Sequence, residues 1–106
     1  MLKRKEMLRH IVFFKVNSEV SVELKAQLLS EVKLKLETLP MLIPEIKQFE
    51  VGINVCSDAK AADLALTSEF ESADALKTYQ EHPAHLDFVA WNRDKCPRSS
   101  VIDYFV

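Results

Sequence analysis

Glycine is almost absent. Gly52 is the only one in the chain, which excludes the glycine-rich loops that cradle phosphates and need several glycines at fixed spacing. Cysteine is scarce as well. Cys56 and Cys96 stand far apart, with no Cys-x-x-Cys or Cys/His pairing near either. Structural zinc needs about four clustered ligands, and two cysteines do not make a disulfide scaffold. Both therefore read as free thiols in a reducing compartment. Positive charge is in no excess: fourteen Lys and Arg face sixteen Asp and Glu, for a formal net charge of −2. A nucleic-acid binder usually shows a basic excess or a basic face. No apolar run approaches the roughly 18 residues of a membrane span, and the basic start MLKRKE leads into no signal-type stretch with a cleavage site. Together these absences predict a cytoplasmic protein with neither nucleic acid nor membrane as partner.

What is present is a chain of 106 residues, 48% apolar and 28% charged. That is enough to bury one core and is the size of one domain. Residues 1–7 read as an N-terminal extension that frays, with Met7 an equally good start, and residues 8–106 as a single domain.

Residues 8–16 (LRHIVFFKV) are β-branched and aromatic, without a breaker, and read as a strand. Leu8, His10, Val12, Phe14 and Val16 share one face, and Arg9, Ile11, Phe13 and Lys15 the other. Both faces are apolar in the middle, the mark of a central strand covered on both sides. Ser21 opens a helix to about Leu39, with Glu23 at its positive end. Leu24, Leu28, Leu29, Val32, Leu36 and Leu39 form its apolar stripe. Pro40 is expected to stop it. Residues 46–55 alternate as a strand with one buried face. Residues 56–62 read as a turn, and Leu64 to Phe70 as a third strand paired to the second. Ser72 caps a second helix to about Glu81. Pro83 interrupts it and suits the first turn of a new helical segment carrying Leu86, Phe88, Val89 and Trp91. Residues 94–100 read as loop and 101–106 (VIDYFV) as a last strand, apolar on both faces.

The order β-α-β-β-α-β predicts an α+β, ferredoxin-like fold: a four-stranded antiparallel sheet with its helices on one face. Two helices leave the other face bare, and an exposed apolar sheet of several hundred Å² exceeds what a monomer usually carries. A second copy, sheet against sheet, is the simplest cover. The expected partner is the chain itself, as a homodimer.

The residues able to do chemistry are few. Of three histidines, His10, His82 and His85, two lie in the run Tyr79-Gln-Glu-His82-Pro-Ala-His85. The proline frees His85 and Tyr79 from one helical spacing. If the His10 face is the helix-covered one, His10, Tyr79 and His85 converge on one apolar pocket. There an imidazole could take or give a proton, and a phenol could hold a developing oxyanion. Each has a structural role open to it: His10 as a satisfied core histidine, His82 as a cap before proline, Tyr79 as a packed ring. Phe88 and Trp91 read as core or pocket wall, and Asp103 as either exposed at an edge or partnered. No carboxylate pairs with His82 and His85 at a metal-ligand spacing, so no metal is expected.

RHIVFFKV (9–16), the helix ending in LP (39–40), VGIN (51–54), FES (70–72), YQEHPAH (79–85) and VIDY (101–104) resemble the stress-responsive A/B barrel domain family, often called Dabb. The resemblance runs from about residue 8 to 105 and is most specific at HPAH and the near-terminal Asp-Tyr strand. It implies a ferredoxin-like, dimeric α/β barrel. Most members have no assigned activity, some being linked to stress responses in plants. A few are enzymes, among them a plant polyketide cyclase that performs an intramolecular aldol condensation without cofactor. By that resemblance His85 is a general base removing a proton α to a carbonyl, Tyr79 hydrogen-bonds the carbonyl oxygen, and His10 lines the pocket. A further pocket histidine of that cyclase falls at Leu64, so one polar contact is lost and the same substrate is not implied.

The expected site is thus His85 and Tyr79 as catalytic candidates, with His10, Leu64, His82, Phe88 and Trp91 as ligand-binding candidates and no cofactor. Three functions fit it. One is a barrel of unassigned activity whose pocket takes a small apolar or aromatic carbonyl compound. The second is a cofactor-independent cyclase or lyase. The third is a cofactor-independent monooxygenase or decarboxylase of the dimeric-barrel kind, which rests on fold analogy alone.

Overall fold

Alternation along the first strand decides the architecture. In β1 (Leu8–Lys15), Leu8, His10, Val12 and Phe14 are buried, while Arg9, Ile11, Phe13 and Lys15 are half-buried or exposed. The strand therefore has one covered face and one open face within a single chain. The computed structural model describes residues 6–106. After β1 come α1 (Val22–Glu37), α2 (Leu39–Leu42), β2 (Gln48–Ile53), β3 (Leu64–Phe70), α3 (Ala73–Glu81), α4 (Pro83–Asn92) and β4 (Arg98–Phe105).

The sheet has four strands in the order β2-β3-β1-β4, and every pairing is antiparallel. β1 lies at the centre, and the two crossovers carry their helices to one side of it. The core sits between that side and the helices. Val32 and Leu36 of α1, Ile43 after α2, and Leu64, Leu66 and Phe70 of β3 are at most 1% exposed. Burying each such side chain contributes roughly 1.5–3 kcal/mol, so this layer holds the sheet in register.

Four expectations are corrected by the structure. Pro40 does not follow the end of a helix that reaches Leu39. The helix α1 ends at Glu37 with Thr38 as its C-cap, and Pro40 stands in the first turn of α2, where its missing N–H is harmless. Leu24, expected in the buried stripe, is 45% exposed: the buried positions of α1 are Leu29, Val32 and Leu36, beyond its first turn. Residues 98–100, expected as loop, extend β4: Arg98, Ser99 and Ser100 pair with Lys15, Phe14 and Phe13. Serine's weak strand preference yielded to the ladder that β1 offered. Finally, β4 is an edge strand with every residue exposed, so its apolar side chains do not signal burial within this chain.

The extension expected over residues 1–7 lies mostly outside the described residues. Of the part that is described, the Met7 carbonyl accepts a hydrogen bond of 2.9 Å from the Val106 N–H.

A buried carboxylate ties the far ends of the strands together. Asp63 accepts from the Val16 N–H (2.8 Å) and pairs with Lys25 Nζ of α1 (2.8 Å). Burial opposes its ionisation, but the hydrogen bonds and charge of Lys25 and the Val16 N–H outweigh that and leave its pKa lowered.

Candidate active site

The break between α3 and α4 makes the site. His82 has extended backbone (φ −64°, ψ 136°) and serves as C-cap of α3 and N-cap of α4. Its Nδ1 accepts from the Ala84 N–H at 3.0 Å, and Pro83 supplies the first helical residue without losing a bond. In an unbroken helix His85, six residues after Tyr79, would sit about 120° around the axis. The turn at His82 instead returns it to the Tyr79 ring, with centroids 4.5 Å apart.

Tyr79 is 1% exposed, with its ring against Phe70 (5.0 Å) and His10 (6.2 Å). Burial pushes its pKa well above the ordinary value of 10.0. The phenol therefore stays protonated and can only donate to an anion, not act as a base near neutral pH. Its hydroxyl has no hydrogen-bond partner among the described residues.

His85 is half-buried, and its Nδ1 lies 3.0 Å from the Gln80 carbonyl. A carbonyl oxygen only accepts, so Nδ1 carries the proton and the neutral ring keeps its lone pair on Nε2. Burial lowers the His85 pKa below 6.5; the Gln80 hydrogen bond works against this and the nearby His10 with it. At neutral pH the imidazole is thus an unprotonated base. Among the described residues Nε2 has no partner.

His10 comes from the middle of β1. Its Nδ1 lies 2.5 Å from Oδ1 of Asp103, the residue directly opposite on β4. The Ser68 hydroxyl donates to the His10 backbone carbonyl at 3.1 Å, fixing β3 to β1 behind the ring. Asp103, expected as either exposed at an edge or partnered, is therefore partnered.

His10, Tyr79 and His85 open onto one cavity of about 290 Å³ between the helices and the sheet. Phe88 and Val89 of α4 and Val101 of β4 supply apolar wall. The cavity holds two residues that sequence reasoning missed. Asn92 is 4% exposed, and its Oδ1 is buried without a hydrogen-bond partner. Cys96 also lines the cavity; burial, helped by the charge of Asp63, pushes its thiol up to about 11, so it is not a nucleophile near neutral pH. A polar residue seven positions after His85, on the same face of an apolar helix, is the signal that could have found Asn92.

Three of the expected ligand-binding residues lie outside this cavity. His82 is occupied in capping α4. Leu64, 1% exposed, borders a separate shallow groove at the β2–β3 end of the sheet, with Phe13 and Ile53. Trp91 lies behind Phe88 (6.1 Å) and under two ammonium groups, Lys95 at 4.3 Å and Lys35 at 5.1 Å. It faces away because α4 turns its cavity side through His85, Phe88 and Asn92, which recur at three- and four-residue spacing. Among the described residues no three His, Cys, Asp or Glu side chains are grouped to hold a metal ion, and no helix is long and apolar enough to cross a membrane.

The sequence matches the family model of the stress responsive A/B barrel domain (Dabb) over residues 8–106. The chain belongs to the Dabb family. An uncharacterized protein of Streptomyces coelicolor is 36% identical over 88 residues, covering 83% of this chain and 89% of its own. A dimeric protein of unknown function with a ferredoxin-like fold, from Bacteroides fragilis, superposes with a TM-score of 0.82 at 34% identity, over 92% of this chain and 94% of that one. The hydroxynitrile lyase of Passiflora edulis shares the fold, with a TM-score of 0.80 at 22% identity over 97% and 95% of the two chains. The ferredoxin-like Dabb fold expected from the sequence is thus found, and no activity comes with the membership.

Proposed function

We propose that this Dabb protein is a cofactor-independent enzyme that moves a proton at the carbon beside the carbonyl of a small apolar or aromatic compound. One observation carries the reading: an unprotonated imidazole nitrogen on His85 and an unbonded phenol on Tyr79, side by side in one open cavity. In the proposed step His85 Nε2 takes the α-proton, and the C–H electrons move into the new carbon–carbon double bond of an enolate. The carbonyl π electrons move onto oxygen, where the Tyr79 O–H donates to them. The enolate carbon then attacks a second carbonyl of the same molecule, and the resulting alkoxide recovers the proton from His85. The step is an aldol addition, balanced without co-reactant, and its reverse cleaves the same bond.

The resemblance to the family's cyclase supports the roles of Tyr79 and His85, and the position of His10 supports a wall role. Proton abstraction is tested by following aromatic ketones in deuterated water by proton NMR. Catalysed loss of the α-proton signal with the natural chain and not with His85→Ala is expected. Exchange no faster than in buffer across the panel would sink the reading.

The same proposal includes a homodimer through the open sheet face; that the Bacteroides fragilis relative is dimeric supports the dimer. On that face Phe13 is 41%, Ile102 52% and Tyr104 38% exposed, beside Ile11 and within an Arg9–Glu69 ion pair of 2.7 Å. Two unbridged thiols, Cys56 and Cys96, fit a reducing cytoplasm.

A further inference from the structure

Asn92 is an unexplained polar group in an apolar place. It closes α4 with its side chain almost wholly withdrawn from water, and its Oδ1 accepts nothing among the described residues. Buried acceptors are rarely left so, because the oxygen has lost water and gained no donor. The amide also acts on the Cys96 thiol, drawing its pKa down against burial. Oδ1 is thus the free end of the amide.

The placement of Asn92 relates it to the proposed chemistry. His85 and Asn92 are both on α4 and both line the cavity. Seven residues make almost two full turns, so the two side chains leave one face of the helix about 10.5 Å apart along its axis. Phe88, buried between them, gives the stretch an apolar middle. The cavity thus has a proton-transfer end and, along the same helix face, an end with one hydrogen-bond acceptor awaiting a donor.

We infer that Asn92 binds a hydroxyl of the ligand, so that the substrate class is a hydroxy-carbonyl compound with an aromatic or apolar body between the two groups. The inference rests on the proposed function for the end it assigns to the carbonyl. A phenol or alcohol donates to Oδ1 while its carbonyl reaches Tyr79 and His85. A carboxylate in that place would present only acceptors to Oδ1 and is disfavoured. A hydrocarbon there would leave the oxygen as bare as it now is.

Three ketones with one carbon skeleton between ring and carbonyl test this: 4-(4-hydroxyphenyl)butan-2-one, its 4-methoxy ether and 4-phenylbutan-2-one. Trp91, the sole tryptophan, packs on Phe88 of the cavity wall and reports binding by its fluorescence. The hydroxy compound is expected to bind the natural chain about tenfold more tightly than the other two, the size of one buried hydrogen bond. Asn92→Leu, close in volume, is expected to bind all three alike. Equal affinities of the three for the natural chain, binding of none, or a hydroxyl preference that survives Asn92→Leu would overturn the inference. The ligand series needs no variant, so an unstable Asn92→Leu does not rescue it. A hydroxyl preference without α-proton exchange would overturn the proposed activity and leave the Asn92 subsite standing; exchange without the preference would do the reverse.

Discussion

The rings of Tyr79 and His85 lie 4.5 Å apart at 48° to one another, across a helix break that neither residue makes. The break belongs to His82 and Pro83, and its effect is to set a proton donor and a proton acceptor at one wall. Their protonation states follow from burial: it keeps the phenol protonated and the imidazole neutral.

Tyr79→Phe removes a hydroxyl that no described residue bonds, so the fold loses little. Thermal unfolding is expected within about 0.5 kcal/mol of the natural chain, the scale of a substitution that breaks no buried contact. Turnover is expected to fall about 10²–10³-fold, as when one oxyanion donor is removed. A variant that exchanges α-protons at the natural rate would show the hydroxyl to be idle.

The pH profile follows from His85. Its pKa is lowered by burial, so the base form persists to pH values below the ordinary 6.5 for histidine. The α-proton exchange rate is expected to be level around neutrality and to fall on an acid limb centred below 6.5. A limb centred above that value would contradict the assignment of His85 as the base. The same shift bears on stability. Unfolding lets the ring bind a proton more readily, so His85 destabilises the fold as pH drops below the unfolded value.

Asp63 adds an acid-side loss of its own. Its folded pKa lies below the reference of 3.8, so its contribution is fully present above the unfolded value and disappears as pH falls through the folded one. Asp63→Ala is expected to cost about 1–3 kcal/mol near neutrality, since the Val16 N–H is left buried without its acceptor. Urea unfolding at pH 7 and at pH 3 checks both points: the variant's deficit should shrink at the lower pH. A deficit that is constant with pH would mean that the charge contributes nothing.

Phe13→Glu places a carboxylate in the middle of the open sheet face, with its side chain already 41% exposed in the single chain. The monomer's core is untouched, and helix and strand content by circular dichroism should be unchanged. Light scattering is expected to give the dimer mass for the natural chain and the monomer mass for the variant. A dimer that survives the substitution would place the contact elsewhere.

The fold was legible because its signals are local and repeated. The alternation of Leu8, His10, Val12 and Phe14 against Arg9, Ile11, Phe13 and Lys15 set β1's faces, and Ser21 and Ser72 marked helix starts where both side chains do cap. The errors arose where a neighbour overrode the local signal. Ser99 and Ser100 are strand only because β1 is beside them, and Pro40 lies within α2 because a new helix starts at Leu39. In the site, Tyr79, His85 and His10 do meet at one cavity. Trp91 and His82 do not, because which side of α4 faces inward depends on how the chain turns at His82. Asn92 was missed for the same reason: an asparagine near a helix end reads as solvated until the helix is oriented.

The edge strand β4 has one more implication. Among the described residues its outer side pairs with no strand, yet its inner side provides Ser99 and Val101 to the cavity and Asp103 to His10. A stop codon at Arg98 or Ser99 would therefore strip Ser99, Val101 and Asp103 from the site and uncover the flank of β1 in one event. The genetic cost of losing β4 is concentrated, although no residue of that strand is buried.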